Sequence, residues 1–281
     1  SRDKRDAYYR LAKEDGYRAR AAYKLLQLDA RLELLSDAAV VVDLCAAPGG
    51  WSQVIAERGV SVVVAVDLKA MAPIPGVSCV LGDLTAPATV EEILERTGGR
   101  KADVVLCDGA PDVCGLADVD DWLQARLART ALDVARRLLA PGGSFVTKIY
   151  RGHRSADFFF QALRPLFRET LCAKPRCSRA ASIEAFAVAR GFRAEEEQRS
   201  HREEEEVNVV PFAACGSGED LDADASYPLE LFADYRLRDP VQAPINPTHR
   251  AALAQADQPE LGQTVGPEQD RHAEGKSVRF D

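Results

Sequence analysis

The sequence predicts an α/β fold built on a mostly parallel sheet, and three observations carry that prediction. Short β-branched runs recur through residues 40–149, each followed by a stretch with helical spacing of its apolar residues. That alternation is the signature of βαβ units. Tight turns rich in Gly and Pro follow several of the runs, and acidic residues stand at or just past the ends of three of them. In an open parallel sheet those ends are where ligands bind.

The elements follow in order. Val40 to Cys45 is an apolar run suited to a strand buried on both faces. Ala46 to Gly50 form a tight turn, and Trp51 to Arg58 read as a helix ended by Gly59. Ser61 to Asp67 and Val77 to Leu81 are further strand runs. Thr89 to Thr97 suit a helix before Gly98 and Gly99, and Ala102 to Cys107 form a fourth strand. Leu123, Leu127, Val134 and Leu138 recur at helical spacing within 120–139, and Pro141-Gly142-Gly143 stop that helix. Ser144 to Ile149 form a fifth strand, Ser155 to Phe167 look helical, and Ile183 to Ala189 look like a late strand.

The chain has 281 residues and a formal net charge of −8. As a total, this argues against a polyanionic partner. The charge is unevenly spread, however. Residues 191–281 carry 9 basic and 20 acidic side chains, a net of −11, which leaves +3 for residues 1–190. Residues 1–24 carry 8 basic side chains against 4 acidic ones. A mildly basic body with a basic arm therefore bears an acidic extension. No apolar run approaches membrane-spanning length, and the charged first ten residues do not resemble a secretory signal. Seven cysteines without a Cys-x-x-Cys pair suggest reduced thiols and a cytoplasmic protein. The four histidines are scattered, so no metal site is expected. Neither a nucleophile elbow nor a phosphate loop is present, and the glycine turn lacks the dinucleotide fingerprint.

The chemistry is expected at the strand ends. Gly49 and Gly50 let a ligand approach the backbone. Asp67 is suited to accept from ribose hydroxyls, Asp83 from an adenine amino group, and Asp108 closes the fourth strand. The order of these motifs resembles the class I methyltransferases that use S-adenosylmethionine. More narrowly, Asp-Leu-Cys-Ala-Ala-Pro-Gly-Gly-Trp-Ser-Gln at 43–53 and Cys-Asp-Gly-Ala-Pro at 107–111 resemble the FtsJ-like RNA ribose 2′-O-methyltransferases. The resemblance implies a Rossmann-like fold, a seven-stranded sheet with helices on both faces, and S-adenosylmethionine held around Gly49, Trp51, Asp67, Asp83 and Asp108. It also implies a catalytic tetrad at Lys24, Asp108, Lys148 and Glu184.

A ribose hydroxyl is a poor nucleophile until its proton is removed, and a lysine can remove it where burial or a neighbouring cation favours the free amine. Lys148 is expected to accept the proton. Lys24 would orient the hydroxyl and favour the free amine of Lys148, Asp108 would sit between the amines and the methyl donor, and Glu184 would hold one lysine.

Residues 1–6, 66–74 and 108–115 resemble the eukaryotic anticodon-loop branch of the family, as do 210–216, 226–229 and 244–247 beyond the common core. This implies tRNA as substrate and separate protein partners that select the nucleotide. Gly50 and the Glu-rich stretch at 195–206 depart from the branch pattern. Three divisions are expected: a methyltransferase domain at 1–192 with its basic arm, an extension at 193–253, and a disordered tail at 254–281. RNA contacts are expected from Arg2, Lys4, Arg5, Arg10, Lys13, Arg18 and Arg20 in the arm, and from Arg176 and Arg179. An rRNA methyltransferase of the same family, a cap ribose methyltransferase and a catalytically silent RNA-binding scaffold are the competing readings.

Overall fold

The computed structural model describes residues 6–112, 114–194, 197–198, 209–225 and 227. Asp6 opens the fold by accepting the Tyr9 N–H at 3.1 Å, which caps α1 (Ala7–Glu14). α2 spans Ala22–Leu32. β1 (Val40–Leu44) is buried throughout, as its run of valines requires. α3 (Gly50–Glu57) starts at Gly49, whose φ of 106° suits a residue without Cβ. β2 (Val62–Asp67) and β3 (Val77–Leu81) follow, then α4 (Pro87–Arg96), whose proline falls in the first turn where no N–H is needed. β4 (Ala102–Cys107) leads to the long α5 (Ala117–Leu138). β5 covers Leu139–Tyr150, and α6 (His153–Asp157) runs into a π-helical turn at Phe158–Leu163. β6 (Phe167–Pro175), β7 (Glu184–Phe192) and β8 (Phe212–Cys215) complete the sheet.

The strand order is β3-β2-β1-β4-β5-β7-β6-β8. β1 to β5 are parallel, β7 runs antiparallel between β5 and β6, and β8 joins β6 in parallel. One face packs Val90, Ile93, Leu132 and Leu138 of α4 and α5 against Val42, Val64 and Val105. The other packs Leu25, Leu28, Trp51 and Ile55 of α2 and α3 against Val41, Val63 and Leu106. Helices therefore cover both faces, as expected.

Among the described residues, eight strands stand where seven were expected. The additional one, β8, comes from the extension: Phe212 to Cys215 pair with Cys172 to Pro175 along the open edge of β6. β5 begins at Leu139, earlier than the expected Ser144, because Leu139 pairs with Ala102 across an irregularity that absorbs the Pro-Gly-Gly turn. The expected helix over 155–167 is present as α6 and the π-helical turn but ends at Leu163, after which β6, the antiparallel partner of β7, begins at Phe167. The expected tail at 254–281 and most of the 195–206 stretch lie outside the described residues. No helix among the described residues is long and apolar enough to cross a membrane.

Candidate active site

The fold brings the four tetrad positions together from four elements. Lys24 comes from α2, Asp108 follows β4, Lys148 is on β5 and Glu184 opens β7. Lys24 Nζ lies 2.9 Å from Glu184 Oε1 and 3.3 Å from Asp108 Oδ1. Lys148 Nζ lies 3.0 Å from Asp108 Oδ1 and donates to the main-chain oxygen of Asp108 at 2.7 Å, with Glu184 Oε2 at 4.0 Å. The side chains are between 9% and 17% exposed, so these charges interact with little screening from water. β5 and β7 pair antiparallel in a register that sets Lys148 opposite Phe186 and Tyr150 opposite Glu184, which fixes both charged side chains on rigid backbone.

The two amines differ. Burial alone would lower the affinity of Lys24 for its proton, but Asp108 and Glu184 together outweigh it and hold Lys24 above the ordinary lysine range. Burial alone would raise the Glu184 carboxyl. Lys24 and Lys148, with a hydrogen bond from Ser178, hold it below the ordinary range instead. Lys24 is thus a fixed cation between two carboxylates, whereas Lys148 has one carboxylate within 3.0 Å.

Two polar residues that the sequence reading missed support this cluster. Ser178 Oγ donates to Glu184 Oε1 at 2.8 Å. Gln124 is buried in α5, and its Nε2 donates to the carbonyls of Gly109 at 3.1 Å and Lys148 at 2.9 Å. Its Oε1 has no hydrogen-bond partner, a cost of about 1–3 kcal/mol at a buried site. The amide thus ties the Asp108 turn to the backbone of Lys148, while the Lys148 amine holds the same turn from the other side. The signal in the sequence was a glutamine on the face of α5 that Ala128, Ala131 and Ala135 turn toward the core. Gln124→Met, of similar volume but without donors, is expected to lower turnover about tenfold through misplacement of Lys148, with the KM for RNA little changed. Steady-state kinetics beside a melting curve check it.

The cofactor positions lie at the ends of β1, β2 and β3. At Gly49 an added Cβ would come within 2.7 Å of Ile74 Cδ1 and 3.2 Å of Arg18 Nη1. Asp67 is locked by the Ala47 N–H on Oδ2 and the Lys69 N–H on Oδ1, both at 2.9 Å. Asp83 is exposed, and its Oδ1 accepts from the Thr85 N–H and hydroxyl at 2.8 Å, in a local turn. Trp51 does not project into the crevice. Its indole is buried against Phe186 and donates to the Ala21 carbonyl at 2.8 Å, which docks α3 onto the start of the helix carrying Lys24. The Trp51 main-chain N–H stands in the first turn of α3, where donors lack intrahelical acceptors. Asp43, fully buried beneath the turn, accepts from Ser52 Oγ at 2.6 Å, and burial pushes its carboxyl up to about 7.

The basic arm is partly structural. Arg18 donates to the carbonyls of Pro48, Ala72 and Pro73 and so binds the glycine turn to the loop after β2. Arg20 pairs with Asp6 and donates to the Cys177 carbonyl at 2.5 Å. Arg179 reaches the same Asp6 at 3.0 Å, and Arg10 is buried. Arg18, Arg20 and Arg179 thus make folding contacts while remaining partly exposed, and Arg10 is buried. Lys13 is half-buried over Tyr9 and Arg176 is exposed, while Arg2, Lys4 and Arg5 lie outside the described residues.

The sheet order, the glycine turn and the lysine–carboxylate cluster together define a methyltransferase, and the chain belongs to the FtsJ-like methyltransferases: residues 17–192 match that family. Over 290 aligned residues it is 45% identical to human tRNA (cytidine(32)/guanosine(34)-2′-O)-methyltransferase, covering 95% of this chain and 88% of that protein. The Schizosaccharomyces pombe protein of the same name is 44% identical, covering 90% of this chain and 95% of its own length. Among solved structures, a Plasmodium falciparum protein described as a ribosomal RNA methyltransferase superposes with a TM-score of 0.57 at 26% identity. It covers 63% of this chain and 98% of its own.

Proposed function

We propose that this chain methylates ribose 2′-hydroxyls in the anticodon loop of tRNA, with S-adenosylmethionine as methyl donor and Lys148 as proton acceptor. The observation that carries the chemistry is the convergence of Lys24, Asp108, Lys148 and Glu184, with nitrogen–oxygen distances of 2.9 to 3.3 Å at the closest contacts. Support for tRNA over rRNA comes from reach. The two relatives named for tRNA align over 90–95% of the chain, extension included, whereas relatives named ribosomal RNA large subunit methyltransferase E align over 68%.

The residues around the crevice suit the cofactor. Gly49 holds a left-handed turn in which a Cβ would strike Ile74 and Arg18, the first N–H groups of α3 would suit an anionic carboxylate, and the Asp67 carboxylate is already oriented by two main-chain N–H groups. When bound, S-adenosylmethionine supplies an electrophilic methyl group for the ribose oxygen. Lys24, held cationic by Asp108 and Glu184, orients the 2′-hydroxyl. Lys148 Nζ takes the hydroxyl proton, and Asp108 Oδ1, 3.0 Å away, stabilises the ammonium that forms. Glu184 keeps Lys24 in place. Positioning supplies much of the remaining catalysis.

Gly49→Ala is expected to weaken S-adenosylmethionine binding about tenfold. It forces a side chain into a left-handed conformation that costs roughly 1–2 kcal/mol and crowds the turn. Calorimetric titration measures it; unchanged affinity would remove Gly49 from the cofactor site.

We further propose a cytoplasmic location and a separate protein partner that selects the nucleotide, docked through the acidic extension. The start of that extension is stitched to the catalytic side of the sheet: the Ala180 N–H donates to Asp224, the Arg176 N–H to the Cys215 carbonyl, and the Tyr8 hydroxyl to the Leu221 carbonyl. Incubating the chain with methyl-labelled cofactor and tRNA, with and without extract from partner-containing cells, tests the reading. Label in base carbons, or in rRNA only, would overturn it.

A further inference from the structure

One built surface beside the tetrad takes no part in the chemistry above. α5 leaves the turn that follows Asp108, and α6 leaves the end of β5 just past Lys148, so both helices grow out of strand ends that carry catalytic candidates. Between them lies a groove of about 200 Å³ lined by Trp122, Arg126, Arg129, Arg154, Asp157 and Phe158. Three guanidinium groups face one carboxylate there. Asp121 lies 3.4 Å from Arg154 and orients it without removing the excess positive charge. Trp122 is 42% exposed, a large apolar area to leave in water. The Arg126 guanidinium sits 4.7 Å from its ring centroid, covering one face.

We propose that this groove binds a single-stranded RNA segment continuous with the target ribose, with an unpaired base stacking on the Trp122–Arg126 pair and flanking phosphates meeting Arg129 and Arg154. The inference rests on the RNA reading above. The groove connects toward Lys148 through Arg154 and Phe158, which also line a smaller pocket with Gln124, Ile149 and Tyr150, and it offers the two features that bind unpaired RNA in any sequence, a flat π-surface and a cluster of arginines. An acidic peptide would meet the arginines but has no use for the stack.

The chain contains two tryptophans, and Trp51 is buried, so quenching of emission reports on Trp122. The full chain is titrated with an anticodon-loop oligoribonucleotide, unlabelled for emission and end-labelled for anisotropy. Emission is expected to fall in step with the rise in anisotropy. Trp122→Ala is expected to bind the oligonucleotide about tenfold more weakly, with unchanged S-adenosylmethionine affinity and melting temperature. Trp122→Phe should bind nearly as wild type but lose the quench. Anisotropy rising without a quench, neither signal moving, or a quench produced by a polyglutamate peptide and not by RNA would each overturn the proposal. Methyl transfer to tRNA by the wild-type chain is read separately, so loss of the groove and loss of the tRNA assignment give different results.

Discussion

Lys148→Ala is expected to lower the methylation rate by about 10²–10⁴-fold, the range over which a positioned proton acceptor contributes. S-adenosylmethionine affinity should fall far less than the rate, because Gly49, Asp67 and Asp83 lie at the ends of β1 to β3 and only Asp108 among the cofactor positions touches Lys148. The fold should survive, since truncation removes the partner of a carboxylate that Lys24 still neutralises at 3.3 Å. Single-turnover kinetics at saturating cofactor read the chemical step directly. A near-normal rate with intact cofactor binding would take the proton from some other group and undo the assignment.

Glu184→Gln is expected to act on both stability and rate. The substitution keeps the shape but leaves Lys24 with one carboxylate where the wild type has two. Breaking a well-buried pair costs about 3–5 kcal/mol, and partial exposure at Glu184 brings the expected loss nearer about 2 kcal/mol. Turnover should fall about 10²-fold as Lys24 loses its fixed position. The dependence on pH follows from the lowered carboxyl. A group with a depressed folded value adds stability above its ordinary range and loses it as pH falls through the folded value. The wild type should therefore lose stability progressively below about pH 4.5, and the variant should show a shallower acid slope with lower stability at pH 7. Denaturant midpoints across pH 3 to 7 check it. Parallel slopes would mean that Glu184 is not ion-paired in solution.

The five parallel strands were legible because their signal is local. Val40 to Leu44 and Ala102 to Cys107 are almost wholly buried, and runs of valines and leucines broken by a single aspartate each say so without knowledge of neighbours. β6 escaped because its burial alternates irregularly, and Arg168, Glu169 and Lys174 give it the texture of a loop. What makes it a strand is β7 beside it. β8 is harder still, since four residues acquire strand geometry only from the free edge of β6.

At the site, the family resemblance pointed to Lys24, Asp108, Lys148 and Glu184, and the fold brings these four side chains within contact. What could not be read was which supporting residue faces where. Trp51 looked like a crevice residue because it follows the glycine turn, yet helical geometry turns its side chain toward α2 and the core. Arg18 and Arg20 looked like phosphate contacts because they are basic, but pairing with main-chain carbonyls and with Asp6 is a property of tertiary structure. Gln124 is the converse case: its place on the inward face of α5 marks it in the sequence, but its role appears only with the two carbonyls it spans.

The decisive property of the protein is whether the amine at 148 drives methyl transfer to a ribose in the anticodon loop. Wild-type chain and Lys148→Ala, each with partner-containing extract, are incubated with methyl-labelled S-adenosylmethionine and tRNA, and the labelled nucleosides are mapped. The expected result is label on ribose 2′-oxygens of the anticodon loop with the wild type, reduced at least about 10²-fold with the variant. Equal labelling by the two proteins, or label confined to bases or to positions outside that loop, would contradict it.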